Sequence, residues 1–120
     1  MLKELHGVQQ IPGDYRRRLF SDQNSDLIVW LEGDESIHGF CFSYDLQAEA
    51  RALTWIAGKG FSHDRIDLGE ESPLANRTPI LIRDAAPPRG EIARRFQEID
   101  GELPAGIRDF VRLKIGEGER

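Results

Sequence analysis

The stretch from Asp26 to Asp67 most constrains what this chain can fold into. Four segments, DLIVWLE (26–32), SIHGFCFSYD (36–45), RALTWIA (51–57) and FSHDRID (61–67), alternate like short β-strands, and brief polar or glycine-bearing turns separate them. Successive side chains of a strand point to opposite faces, so each segment sorts into two sides. Leu27, Val29 and Leu31 take one side of the first strand, and Ile28 and Trp30 take the other. Both sides are apolar, which predicts a central strand covered on both faces.

Gly33-Asp34-Glu35 is short enough to close a hairpin. A two-residue loop at either Gly33-Asp34 or Asp34-Glu35 gives the same parity. Leu27, Val29 and Leu31 then share a face with His38, Phe40, Phe42 and Tyr44, while Ile28 and Trp30 share the other with Ile37, Gly39, Cys41 and Ser43. The second register sets Trp30 opposite Gly39, where the missing side chain leaves room for the indole. A three-residue turn at Gly58-Lys59-Gly60 pairs Ala57 with Phe61, Trp55 with His63, Leu53 with Arg65 and Thr54 with Asp64. The connector LQAEA (46–50) reads as a helical turn or as a hairpin loop. If parity carries through it, one face collects Phe40, Phe42, Tyr44, Leu53, Trp55, Phe61, His63 and Arg65. The other collects the small residues Gly39, Cys41, Ser43, Ala52 and Thr54.

The flanks complete the architecture. Residues 1–14 form a weakly structured lead-in closed by the turn signature Pro12-Gly13-Asp14. YRRRLF (15–20) reads as a further strand, an exposed edge protected by cations, with Arg17 on the face opposite Arg16 and Arg18. Leu68–Thr78 has loop composition, Ile80-Leu81-Ile82 reads as one more buried strand, and Asp84–Pro88 closes the sheet region. The period then changes from two to 3.6: Ile92, Phe96 and Ile99 form one apolar stripe, ended at Gly101. Leu103, Ile107, Phe110, Val111 and the stem of Lys114 form another, with Pro104 near its start and Gly116 just past its end. The expectation is a single α+β domain over residues 1–120. It comprises an antiparallel β-meander of about four to six strands across 15–83, free to curl into a half-barrel, then two helices across 87–115 packed on the sheet.

Composition removes several classes of function. A net charge of −5 argues against an open nucleic-acid binder, which needs a surplus of cations to displace counterions. The one cysteine, Cys41, cannot form an internal disulfide and points to a reducing compartment. The N-terminus lacks the apolar core of a signal peptide, and no apolar run approaches the ~18 residues of a membrane span. The expected location is the cytoplasm, with no membrane partner. Asn76-Arg77-Thr78 matches a glycosylation sequon, which matters only for a secreted chain.

YRRRLFSD, DLIVWLE, Gly39-Phe40 with Tyr44-Asp45, RALTW, GFSHDRID and TPIL, taken together, resemble a family of small bacterial proteins with no assigned activity. The likeness spans about residues 15–115. It implies a bacterial, cytoplasmic, single-domain protein and brings no catalytic residue with it.

Specific chemistry is sparse. Ser62-His63-Asp64 holds the residue types of a nucleophilic triad, but alternation sends His63 to one face and its neighbours to the other. His6, His38 and His63 form no ligand pair by spacing, although parity sets His38 and His63 on one face; no metal and no cofactor is expected. Asp64, Asp67, Glu70 and Glu71 read as a solvated acidic loop, and Cys41 as a small buried hydrophobe.

The aromatic face is the feature of most functional interest. If the helices cover the small-residue face, the aromatic side becomes a pocket with Tyr44, His63 and Arg65 at its polar margin. If they cover the aromatic side, the sheet is a scaffold, and that is the favoured reading. The favoured function is accordingly a small non-catalytic binding or interaction module, its partner an unknown protein or small molecule, and a homodimer is compatible. The alternative is an enzyme or ligand-binding protein for a small polar or anionic molecule, with His63 as base, Arg65 as anion clamp, Tyr44 as donor and Trp55 as a wall. Nucleic-acid binding by Arg16–Arg18 ranks behind both.

Overall fold

Among the residues described by the computed structural model, 1–67, 80–83 and 89–117, the chain runs through seven strands and then two helices. The strands are β1 (Lys3–Glu4), β2 (Arg16–Ser21), β3 (Asp26–Leu31), β4 (Ile37–Tyr44), β5 (Arg51–Ile56), β6 (Gly60–Asp67) and β7 (Ile80–Arg83). They pair in sequence order, each antiparallel to the next, as one open meander. The helices are α1 (Arg89–Ile99) and α2 (Ala105–Glu117). This is the expected α+β arrangement, one strand larger than the sequence suggests. The loop 68–78 with its sequon at Asn76, the acidic pair Glu70 and Glu71, and the segment Asp84–Pro88 lie outside the described residues.

The extra strand comes from the lead-in. Leu2 is fully buried in the core, its N–H donates to the Ile99 carbonyl at 2.9 Å, and Lys3–Glu4 pairs with β2. Arg18 donates to both carboxylate oxygens of Glu4 at 2.8 and 2.7 Å, and this pair draws the Glu4 carboxyl below its usual range. YRRRLF is therefore not a bare edge. Where β1 stops short, the Gln10 amide takes over: Arg17 N–H donates to Oε1 at 2.8 Å, and Nε2 donates to the Arg17 carbonyl at 3.0 Å. Arg17 does face away from Arg16 and Arg18, since it pairs with Trp30 while they pair with Leu31 and Val29.

Trp30 stands opposite Gly39, as the second hairpin register requires. Beyond that pair the ladder shifts, because the loop is three residues long. The Glu32 N–H donates to the Ser36 carbonyl at 2.9 Å, and Glu35 enters the left-handed region at φ 68°. A three-residue loop ending in such a residue carries a bulge, and here Leu31 pairs with Ile37. The bulge exchanges two expected positions. Ile37 packs against the core, and His38 instead stacks on Tyr15 at 3.9 Å and lies 3.3 Å from the Glu32 carboxylate.

The β5–β6 register also differs from expectation. Its turn is closed by Lys59 N–H donating to the Ile56 carbonyl at 3.0 Å, with Gly58 at φ 81° where a type II turn requires a positive value. Ile56 therefore faces Gly60, Trp55 faces Phe61, Leu53 faces His63 and Arg51 faces Arg65. The shift is two residues, so every side chain keeps its face. LQAEA is a loop, pinned to the β2–β3 turn by Leu46 N–H donating to the Asn24 carbonyl at 3.1 Å. Parity carries through it, with Phe40 opposite Trp55 and Phe42 opposite Leu53.

The helices cover the aromatic face. Phe96 meets Phe42 edge-on at 5.2 Å, Phe110 meets Trp55 at 5.4 Å, and Ile92, Val111 and Ile115 close the same core. Ile115, outside the stripe read from sequence, is fully buried, because α2 continues through Gly116 to Glu117. At the rim, helix cations rest on sheet aromatics: Arg89 on Phe61 at 3.9 Å, Lys114 on Trp55 at 4.6 Å and Arg95 on Tyr44 at 5.5 Å. Arg112 of α2 grips the buried Asp100 after α1 with two bonds of 2.6 and 2.8 Å. No helix among the described residues is long and apolar enough to cross a membrane.

Candidate functional site

Covering the aromatic face divides the four residues singled out by sequence. Tyr44 and His63 come together: the phenol oxygen lies 2.6 Å from Nε2, and the two rings stack 6.0 Å apart. Whichever of the two carries the proton, that bond engages both groups. His63 is only 5% exposed. Over Tyr44, Arg95 bonds to Asp45 and, at 3.2 Å, to Glu91, and the Asp45 bond raises its pKa. His63 is thus held inside the fold with its Nε2 engaged by Tyr44.

Trp55 and Arg65 do not join that pair. Trp55 lies on Phe40 at 6.2 Å and is roofed by Phe110 and Lys114. Arg65 is exposed and stands across from Arg51. Since Arg51 also faces Tyr44, Arg65 is two strands from Tyr44, about 10 Å. The expected base and donor are thus in hydrogen-bond contact, and the expected clamp stands two positions along β6 at the same end of the sheet.

The other motifs resolve in the same way. Ser62 pairs with Thr54 and Asp64 with Ala52 on the face opposite His63. The bulge takes His38 off the face that carries His63, so the two cannot serve one metal. Among the described residues, no group of three or more His, Cys, Asp or Glu is placed to hold one. Cys41 lies between Ile28 and Thr54, and burial pushes its thiol pKa up, the opposite of a reactive cysteine.

The sheet face away from the helices is the more distinctive surface. Its middle row runs Leu19, Ile28, Cys41, Thr54, Ser62 across β2 to β6. The next row holds Arg17, Trp30, Gly39 and Ile56, and the row on the other side holds Ser21, Asp26, Ser43, Ala52 and Asp64. Leu19, Ile28, Trp30, Cys41 and Ile56 are half-buried, and none belongs to the core packed beneath the helices. Sequence parity gave Ile28, Trp30 and Cys41 to this side. Leu19 and Ile56 complete the patch through register, which no local pattern displays.

Comparison of the chain with protein-family models, with curated proteins and with solved structures finds no match.

Proposed function

We propose that this chain is a non-catalytic interaction module that works through the sheet face opposite its helices, and that the face is occupied by a second copy of the chain. The observation that carries this reading is the half-buried row Leu19, Ile28, Trp30, Cys41 and Ile56 on a face that antiparallel sheets ordinarily give to polar residues. Its size suits a dimer. Strands β2 to β6, six to eight residues long, spread over about 24 by 23 Å, roughly 550 Å² in projection. Side-chain relief raises the accessible area above that figure, toward the ~800 Å² per partner of a standard interface.

Charge supports a copy of itself as the occupant. Arg17 marks one end of the face and Asp26 and Asp64 the other. A two-fold axis running across the strands swaps the ends, which brings the basic end of each copy to the acidic end of its partner. The single thiol supports a reducing, cytoplasmic setting, and the net charge of −5 disfavours nucleic acid. Light scattering on the purified chain tests the reading: the wild type runs as a dimer at micromolar concentration, and Ile28→Glu runs as a monomer with a comparable melting temperature. A monomeric wild type, or a dimer that Ile28→Glu leaves intact, overturns it.

A further inference from the structure

The sheet face away from the helices holds charge of both signs that finds no counter-charge within the chain. Of three consecutive arginines, Arg16 pairs with Glu35 at 3.1 Å and Arg18 with Glu4 at 2.7 Å. Arg17, on the outer face, has no carboxylate partner among the described residues. Its Nη2 donates to the Gln9 carbonyl at 2.7 Å, and its Nε is buried without a hydrogen-bond partner among the described residues. The two bonds from Gln10 to its backbone hold the residue in place. A guanidinium so short of acceptors, on a fixed stretch of strand, suits a carboxylate brought from outside.

The same face carries the matching anions. Asp26 accepts from the Ser21 hydroxyl at 2.6 Å, and among the described residues neither Asp26 nor Asp64 pairs with a cation. Arg17 cannot reach Asp26 in its own chain. Asp26 stands beside Ser21, four residues along β2 from Arg17, and that length of strand spans about 14 Å. A partner presenting the same charges in reverse satisfies both ends at once.

The apolar residues set where a symmetry axis runs. The middle row Leu19, Ile28 and Cys41 is extended by Leu5, which is 47% exposed and donates its N–H to the Leu19 carbonyl at 2.9 Å. A two-fold axis along this row sets each of these residues against its own copy. Arg17 lies two residues to one side of the row and Asp26 two residues to the other, on adjoining strands. The rotation brings Arg17 over the partner subunit's Ser21, one strand spacing, about 5 Å, from the partner subunit's Asp26. Asp64 lies at the same level but four strands from β2, about 19 Å away.

We propose, resting on the dimer through this face, that two identical ion pairs key it, Arg17 of each copy with Asp26 of the other. The pairs set the strands of the two sheets antiparallel about the Leu5–Cys41 row. They also select the occupant, since any other protein docking there has to supply both charges at that spacing.

Charge exchange between the two positions tests the pairing, with dimer dissociation constants read by sedimentation velocity. Arg17→Glu sets a carboxylate against Asp26 at both contacts, and Asp26→Lys sets an ammonium against Arg17. Each variant alone should dimerise about a hundredfold more weakly than wild type. Mixed together, the two should form a heterodimer near wild-type strength, because both contacts then join opposite charges. Both substitutions in one chain should restore the homodimer for the same reason. Asp26→Asn keeps the test open if the lysine variant fails to fold: with it, Arg17→Glu should dimerise more tightly than Arg17→Glu alone. Arg17→Glu that dimerises as wild type overturns the key. So does a wild-type dimer that Ile28→Glu dissociates but in which neither the mixture nor either double variant recovers binding, a result that leaves the face itself as the interface. A monomeric wild type overturns the key and the dimer together.

Discussion

A single methyl group at Gly39 reaches 2.6 Å from the Trp55 carbonyl oxygen and 3.2 Å from Ile56 Cδ1. The missing side chain thus makes room less for the Trp30 indole, as the sequence pattern suggests, than for the backbone of β5. A carbonyl in a ladder cannot step aside, so Gly39→Ala costs about 1–3 kcal/mol, measurable by urea unfolding. The Glu4–Arg18 pair makes a prediction with a definite sign. The folded-state pKa of Glu4 is depressed, chiefly by its bond to Arg18, so its stabilisation is present above the unfolded glutamate range and lost as pH falls through the folded value. Glu4→Gln should cost about 0.5–1 kcal/mol at neutral pH and nothing measurable in strong acid. A difference independent of pH contradicts that assignment. At this scale the sequence is a partial guide: it marks Tyr44 and His63 as neighbours on one face, but their 2.6 Å contact follows from a register that period-two alternation leaves free.

Elements with a clear period were legible, and those set by loop conformation or by distant partners were not. Strands β3 to β6 and both helical stripes follow from alternation and from the recurrence of Ile92, Phe96, Ile107 and Val111. The β5–β6 slip left faces unchanged because it spans two residues. The β4 bulge did not, because Glu35 adopts a left-handed conformation that its residue type does not announce. β1 is two residues long, too short to display any period, and its worth rests on Leu2. Leu2→Ala should cost about 2–4 kcal/mol, which a loosely held lead-in would not show. The Gln10 cap predicts a separate effect. Gln10→Ala removes both bonds to the Arg17 backbone, so the Arg17 amide should exchange with solvent markedly faster while amides of β4 keep their protection. Equal protection of Arg17 in both proteins would falsify the cap.

For the whole molecule, one question governs function: which face of the sheet the helices take. Alternation defines two faces but contains nothing about their occupants, because packing of α1 and α2 is a choice between surfaces far away in sequence. The helices take the aromatic face, which buries Phe40 and Phe42 and leaves the row from Leu19 to Ile56 half-buried outside the core. The two tryptophans report on the two faces separately, since Trp55 lies under α2 and Trp30 on the other side. In a Trp55→Phe variant, Trp30 is the sole reporter of the proposed interface. The most direct measurement is its emission and its quenching by iodide across a concentration series. Dimerisation through this face predicts emission moving to shorter wavelength and quenching falling as concentration rises, with both effects abolished by adding Ile28→Glu. Emission and quenching that stay constant from nanomolar to high micromolar concentration would contradict the account.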